Sequence, residues 1–167
     1  GGDYVTSFTV LPSTSVTVSI PDFARGPGQA VDVPATEFGL PVRISDAAGI
    51  TNVHLVINYD PALLDITAVS AGAQLPAGSI AVLQTPSPGR AEIIVVPFGT
   101  MPAGELDLVT LTATVPNDAA YGSKQVIDIE SVLLNNGAMQ AVLDDGVHVV
   151  AYLGDTTGNA TYTAEDA

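Results

Sequence analysis

This chain of 167 residues contains no cysteine and no tryptophan, and only four basic side chains, Arg25, Arg43, Arg90 and Lys124. Without cysteine there is no disulfide and no thiolate metal site. Against the four cations stand 18 acidic residues, giving a formal charge of −14. A field of that sign repels phosphate backbones and anionic headgroups, which argues against nucleic-acid binding and peripheral membrane attachment. It attracts cations, calcium included, although acidic charge also serves solubility alone. No run of 18 apolar residues occurs, so no membrane insertion is expected. His54 and His148 are the two histidines, and Gly-x-Ser-x-Gly and glycine-rich phosphate loops are missing. Glu92, Glu105 and Asp107 are the candidates for a carboxylate pair, but nothing in the sequence brings them across a cleft. Glu92 and Asp107 fall in the solvent-facing phase of strands. The chain therefore reads as no enzyme.

What is present points to an all-β domain. Hydrophobic residues make up 47% of the chain and charged ones 13%, with 16 Gly and 12 Pro between short apolar runs. Residues 52–59 alternate, Val53, Leu55, Ile57 and Tyr59 against Asn52, His54, Val56 and Asn58, as a strand with one buried face does. Asp60-Pro61 then stops the ladder, and Leu63, Leu64 and Ile66 turn back into the core. In residues 108–115, Val109, Leu111, Ala113 and Val115 face in, and Thr110, Thr112 and Thr114 face out. Further strands fit 16–20, 31–33, 40–45, 65–70, 79–85, 90–98, 125–134, 138–143 and 146–152. Asn135-Asn136-Gly137 and Asp145-Gly146 supply the left-handed conformations of tight hairpins. The expected fold is a two-sheet β-sandwich of jelly-roll type with about nine strands. Residues 1–14 read as a linker or the tail of a preceding module, 15–152 as the sandwich and 153–167 as an appended acidic segment. The Gly-Gly start and the abrupt acidic end suggest a piece of a longer protein, which leaves room for sorting signals outside it.

Two places carry functional signal. In strands 79–85 and 90–98 both phases are apolar, Ile80/Val82 with Ala81/Leu83 and Ile93/Val95 with Ile94/Val96, and Val56 is apolar in a solvent phase. A sheet with one wet face does not show this. Either a loop covers the second face, or an exposed apolar patch marks a partner site. The second place is the tail Gly154–Ala167, whose oxygen-bearing side chains recur at alternate positions, with an acidic, Thr-rich solvated end as the simpler reading.

The segment NVHLVINYDPALLDI (52–66), the strand–loop–strand 90–115 and the Pro-Asn-Asp-Ala-Ala-Tyr-Gly connection (116–122) resemble cohesin modules, the receptor half of bacterial cohesin–dockerin pairs. The resemblance covers about Ser15 to Ala151. It implies a non-catalytic, extracellular or cell-surface recognition module that docks a dockerin-type protein through one flat sheet face, and through it polysaccharide-degrading enzymes. The family's polar contacts begin at positions matching Asn52 and His54, the latter standing where many members carry an acidic residue; the outward residues of the three strands complete the expected face with Val56, Asn58, Ala81, Leu83, Glu92 and Ile94. The tail GDTTGNATYTAEDA looks like the opening of a dockerin calcium repeat. With Asp155 as loop position 1, oxygen donors fall at Asp155, Thr157, Asn159, Thr161 and Asp166, the spacing that a hard ion with six to eight oxygen ligands uses. Ala160 replaces the turn glycine of such loops, so calcium binding by this segment alone is expected to be weak or incomplete. The alternatives are a carbohydrate-binding sandwich, disfavoured by nine aromatics and no Trp, and a structural spacer in a large adhesin.

Overall fold

The computed structural model describes residues 15–34, 37–155 and 157–160. Its strands are β1 (Val16–Ser19), β2 (Phe23–Ala24), β3 (Leu40–Ile44), β4 (Val53–Asn58), β5 (Asp65–Ala71), β6 (Ile80–Ser87), β7 (Arg90–Val96), β8 (Leu106–Thr114), β9 (Lys124–Leu134), β10 (Ala141–Asp144) and β11 (Gly146–Val149). They form two sheets, one ordered β10-β1-β3-β8-β5 and the other β2-β11-β9-β4-β7-β6. First and last elements lie side by side in parallel, β1 on β10 and β2 on β11, while the other ladders are antiparallel. This is the expected jelly-roll sandwich. Among the described residues no helix is long and apolar enough to cross a membrane.

Alternation decides which face of each strand is buried. Val53, Leu55 and Ile57 of β4 meet Val109 and Leu111 of β8 in one apolar cluster, all at 1% exposure or less. Tyr59 packs against the same cluster while half-buried, and Leu64 is fully buried after the Asp60 turn. That turn forms as its chemistry requires: Asp60 Oδ1 accepts the N–H of Ala62 at 2.9 Å, and its carbonyl accepts those of Leu63 and Leu64.

Three local expectations differ. Residues 31–33 form no strand; Ala30 makes only an isolated bridge to Thr114, and Val31 donates its N–H to Ala113. Asn135, Asn136 and Gly137 do take positive φ (52°, 57° and 87°) and the turn closes on one antiparallel bridge, Leu134 to Met139, yet no hairpin ladder follows, because β9 and β10 belong to opposite sheets. Asp145-Gly146 likewise passes between sheets. Both links cross the sandwich because β10 finds its partner in β1, a pairing fixed by the other end of the chain.

Candidate protein-docking face

The pairing of β6, β7, β4 and β9 sets the outer face of the six-stranded sheet row by row. Val82 lies opposite Ile94, Ile94 opposite His54, and His54 opposite Leu133, so one transverse row crosses four strands. Beside it Ile80 faces Val96. Ile80, Val82, Val96 and Leu133 are 56%, 43%, 47% and 46% exposed; the first three adjoin one another, and Ile94 and His54 link them to Leu133 along the row, so they are not scattered surface apolars. Beyond the end of β7, Phe98 is 76% exposed, its N–H bonded to Ser79 Oγ at 3.1 Å.

Further along the same face the character changes to polar. Asn58 lies opposite Arg90 and Asp128, and its Nδ2 donates to Asp128 Oδ2 (3.2 Å) and Glu130 Oε2 (2.9 Å). Arg90 bonds Glu130 directly and approaches Glu92 at 3.5 Å. Because Arg90 is on β7 and Glu130 on β9, that ion pair reaches across β4. The Asn58 amide, and then Arg90, hold the Glu130 carboxyl below its ordinary value, with some opposition from desolvation.

The residues expected on this face are therefore sorted as follows. His54, Asn58, Glu92 and Ile94 are on it. Val56 is on it in phase, between Glu92 and Ser131, but only 3% exposed, so it offers a partner almost no surface. Asn52 fastens a turn, its Oδ1 accepting the N–H of Asn136 at 3.1 Å and its carbonyl that of Asn135 at 3.0 Å. Ala81 and Leu83 are a correction: they oppose the buried Val95 and Ile93 and pack against the core, so the outward residues of β6 are Ile80, Val82 and Gln84. Sequence alone left both phases of β6 apolar. Leu133 was missed because only the β4–β9 register brings it beside His54.

At the other end, Asp155 is tied to the sandwich. Its Oδ1 accepts the N–H of Gly158 (2.7 Å) and Asn159 (3.2 Å), its Oδ2 that of Ala160 (2.8 Å), and Tyr121 O–H bonds Oδ2. The phenol hydrogen bond, the largest cause, holds the Asp155 carboxyl below its ordinary range and pushes Tyr121 up. Tyr121 also accepts the N–H of Tyr152, whose ring lies so close over Gly26 that a Cβ there would overlap it. Thr157 and Asn159 are exposed, whereas Thr161 and Asp166 lie outside the described residues.

A family model described as a cohesin domain matches residues 16–150. Among solved structures the chain is similar to a non-cellulosomal cohesin of the archaeon Archaeoglobus fulgidus (TM-score 0.68, 12% identity, covering 89% of this chain and 100% of that one). It is also similar to the sixth cohesin of Acetivibrio cellulolyticus scaffoldin B, solved with a Cel5 dockerin mutant (TM-score 0.67, 18% identity, 82% and 99%). A third is the seventh ScaB type I cohesin of Pseudobacteroides cellulosolvens (TM-score 0.67, 17% identity, 85% and 96%). No curated protein sequence matches this chain. With the family model spanning nearly the whole sandwich and the fold agreeing, the chain belongs to the cohesin family.

Proposed function

We propose that this protein is a non-catalytic recognition module that binds a dockerin-type partner through the outer face of its six-stranded sheet, in a bacterial secreted or cell-surface assembly. The observation that carries this is the exposed row Val82–Ile94–His54–Leu133, with Ile80 and Val96 beside it. Releasing water from such a patch contributes roughly 25 cal/mol per Å² of apolar area, offset by the cost of fixing two bodies together. Similar folds in complex with dockerins, from Acetivibrio cellulolyticus and Clostridium thermocellum, support the class of partner. The polar end, with Glu92, Asp128 and Glu130 around the single Arg90, sets orientation and favours a cationic side chain on the partner.

Calorimetric titration with the dockerin modules of the source genome tests this. One or more should bind the wild type, and Leu133→Asp and Val82→Asp should each weaken binding at least about 100-fold, because an unpaired carboxylate would be desolvated. Both sites are exposed, so Tm should hold. If no dockerin binds, or both variants bind as the wild type does, the reading is wrong and a structural spacer takes its place.

For the C-terminal segment the proposal is the start of a dockerin-type calcium repeat, with Asp155, Thr157, Asn159, Thr161 and Asp166 as ligands. In its favour, backbone N–H groups of residues 158–160 converge on the Asp155 carboxylate, and Ala160 holds a φ of 63° where such loops turn sharply. Tyr121 works against it by occupying an oxygen that a cation would need.

A further inference from the structure

The four sheet edges of this sandwich are not equally protected. An edge strand offers unpaired N–H and C=O groups, and proteins blunt such edges with short length, charge, proline or bulges. Here β2 has two residues, β10 has four and ends in Asp144, and β5 begins at Asp65 with a bulge between Ile66 and Ala68. The fourth edge, β6, is eight residues long and carries no charge (IAVLQTPS). Its protection is confined to one end, where the β6–β7 register shifts between Gln84 and Ser87 and Pro86 lacks an N–H. From Ile80 to Thr85 the edge is open. Among the described residues no strand lies beyond it, and none of these six makes a backbone hydrogen bond outside the strand ladders.

We infer that β6 pairs antiparallel with β6 of a second copy of this chain, joining two six-stranded sheets edge to edge. Self-complementarity points to a second copy as the occupant. Centred on Val82, the pairing sets Ile80 against Gln84 of the second copy on the outer face, and Ala81 against Leu83, small against large, on the inner face. A one-residue slip would mix inward and outward side chains, so the phase of β6 restricts the register. Like charges never fall opposite each other in the new ladder, which matters for two bodies of formal charge −14. The apolar patches of the copies then become continuous through Ile80 and Val82, and both outer faces stay open on the same side. This association does not depend on the dockerin reading. A ladder of this length buries little area, so the dimer is weak.

Sedimentation equilibrium from about 10 μM to 1 mM protein covers the range expected for such a small interface. The remaining self-repulsion is screened as the Debye length drops from about 10 Å at 0.1 M salt to about 3 Å at 1 M. Dimerisation should therefore strengthen with salt, several-fold or more. Val82→Lys, which places two ammonium groups at the centre of the ladder, should weaken it at least tenfold. Leu133→Asp, three strands from the edge, should leave it unchanged, and alternate β6 amides should exchange more slowly at high protein concentration. Several outcomes overturn the proposal: a monomer under all conditions, association lost in Leu133→Asp, association that weakens with salt, or β6 amides indifferent to concentration. The first would mean that this edge does not pair with its own kind; the second would mean that copies meet face to face.

Discussion

The imidazole of His148 lies on the ring of Phe23, centroids 4.6 Å apart and planes 17° apart, at paired positions of β11 and β2. His148 is completely buried. Gln125 Oε1 accepts the N–H of Asp60 at 2.7 Å, which leaves the Gln125 amide nitrogen facing His148 Nδ1 at 3.0 Å as a donor. Nδ1 therefore accepts, and the neutral ring carries its proton on Nε2, for which the described residues offer no acceptor at hydrogen-bond distance. Protonating Nδ1 would set donor against donor. Burial, opposed in part by the Arg25 main chain, pushes His148 below its ordinary value of 6.5. A base whose folded pKa is depressed is protonated first in the unfolded chain, so stability falls as pH drops below about 6.5 towards the folded value. Thermal melts should show this fall above the carboxylate range, and His148→Leu should flatten it. A slope unchanged in His148→Leu would assign it to another group.

Leu55, between Ile93 of β7 and Val132 of β9, is 1% exposed. Leu55→Ala should cost about 2–5 kcal/mol in urea unfolding through lost transfer energy and the cavity left behind. Thr112 faces outward from β8, and the bond from Thr67 Oγ1 goes to its backbone carbonyl. Thr112→Ala should therefore stay within about 0.5 kcal/mol. Equal costs would contradict the strand phases described here.

Removing the Arg90 cation should be legible at Glu130. In Arg90→Gln the Glu130 carboxyl should rise towards its ordinary value of 4.5, though not fully, because the Asn58 amide still donates to it. Titration followed by NMR of the carboxyl carbon reads this directly. No movement would mean that Asn58 alone sets the acidity.

Tyr121 and a cation would compete for Asp155. Tyr121→Phe should leave Oδ2 with the Ala160 N–H as its remaining donor and tighten calcium binding several-fold in calorimetry, while Asp155 moves up towards its ordinary value. For the wild-type chain, millimolar calcium should shift Tm by no more than about 1–2 °C, as weak linkage requires. Tight wild-type binding would show that the phenol yields easily. A rise in Asp155 without any calcium binding by either protein would remove the calcium reading and keep the hydrogen bond.

The strand phases of β4 and β8, the all-β sandwich and the cohesin resemblance were legible in the sequence, because alternation is a local property: each side chain faces opposite to its neighbour whatever the strand pairs with. Ile94 and His54 could be placed on an outer face for that reason. What pairing decides was not legible. Val56, apolar in an outward phase, is buried at 3% exposure between Glu92 and Ser131, and Ala81 and Leu83 face inward because the register with β7 puts them opposite Val95 and Ile93. His148 is buried against Phe23 through the parallel contact of elements more than a hundred residues apart. Asn135-Asn136-Gly137 delivered the backbone conformation its residues favour, but β10 left for the other sheet because β1 offered it a partner. Alternation along each strand sets which side chains share a face. Only the tertiary structure decided which faces meet water, since that depends on neighbours brought together by long-range pairing.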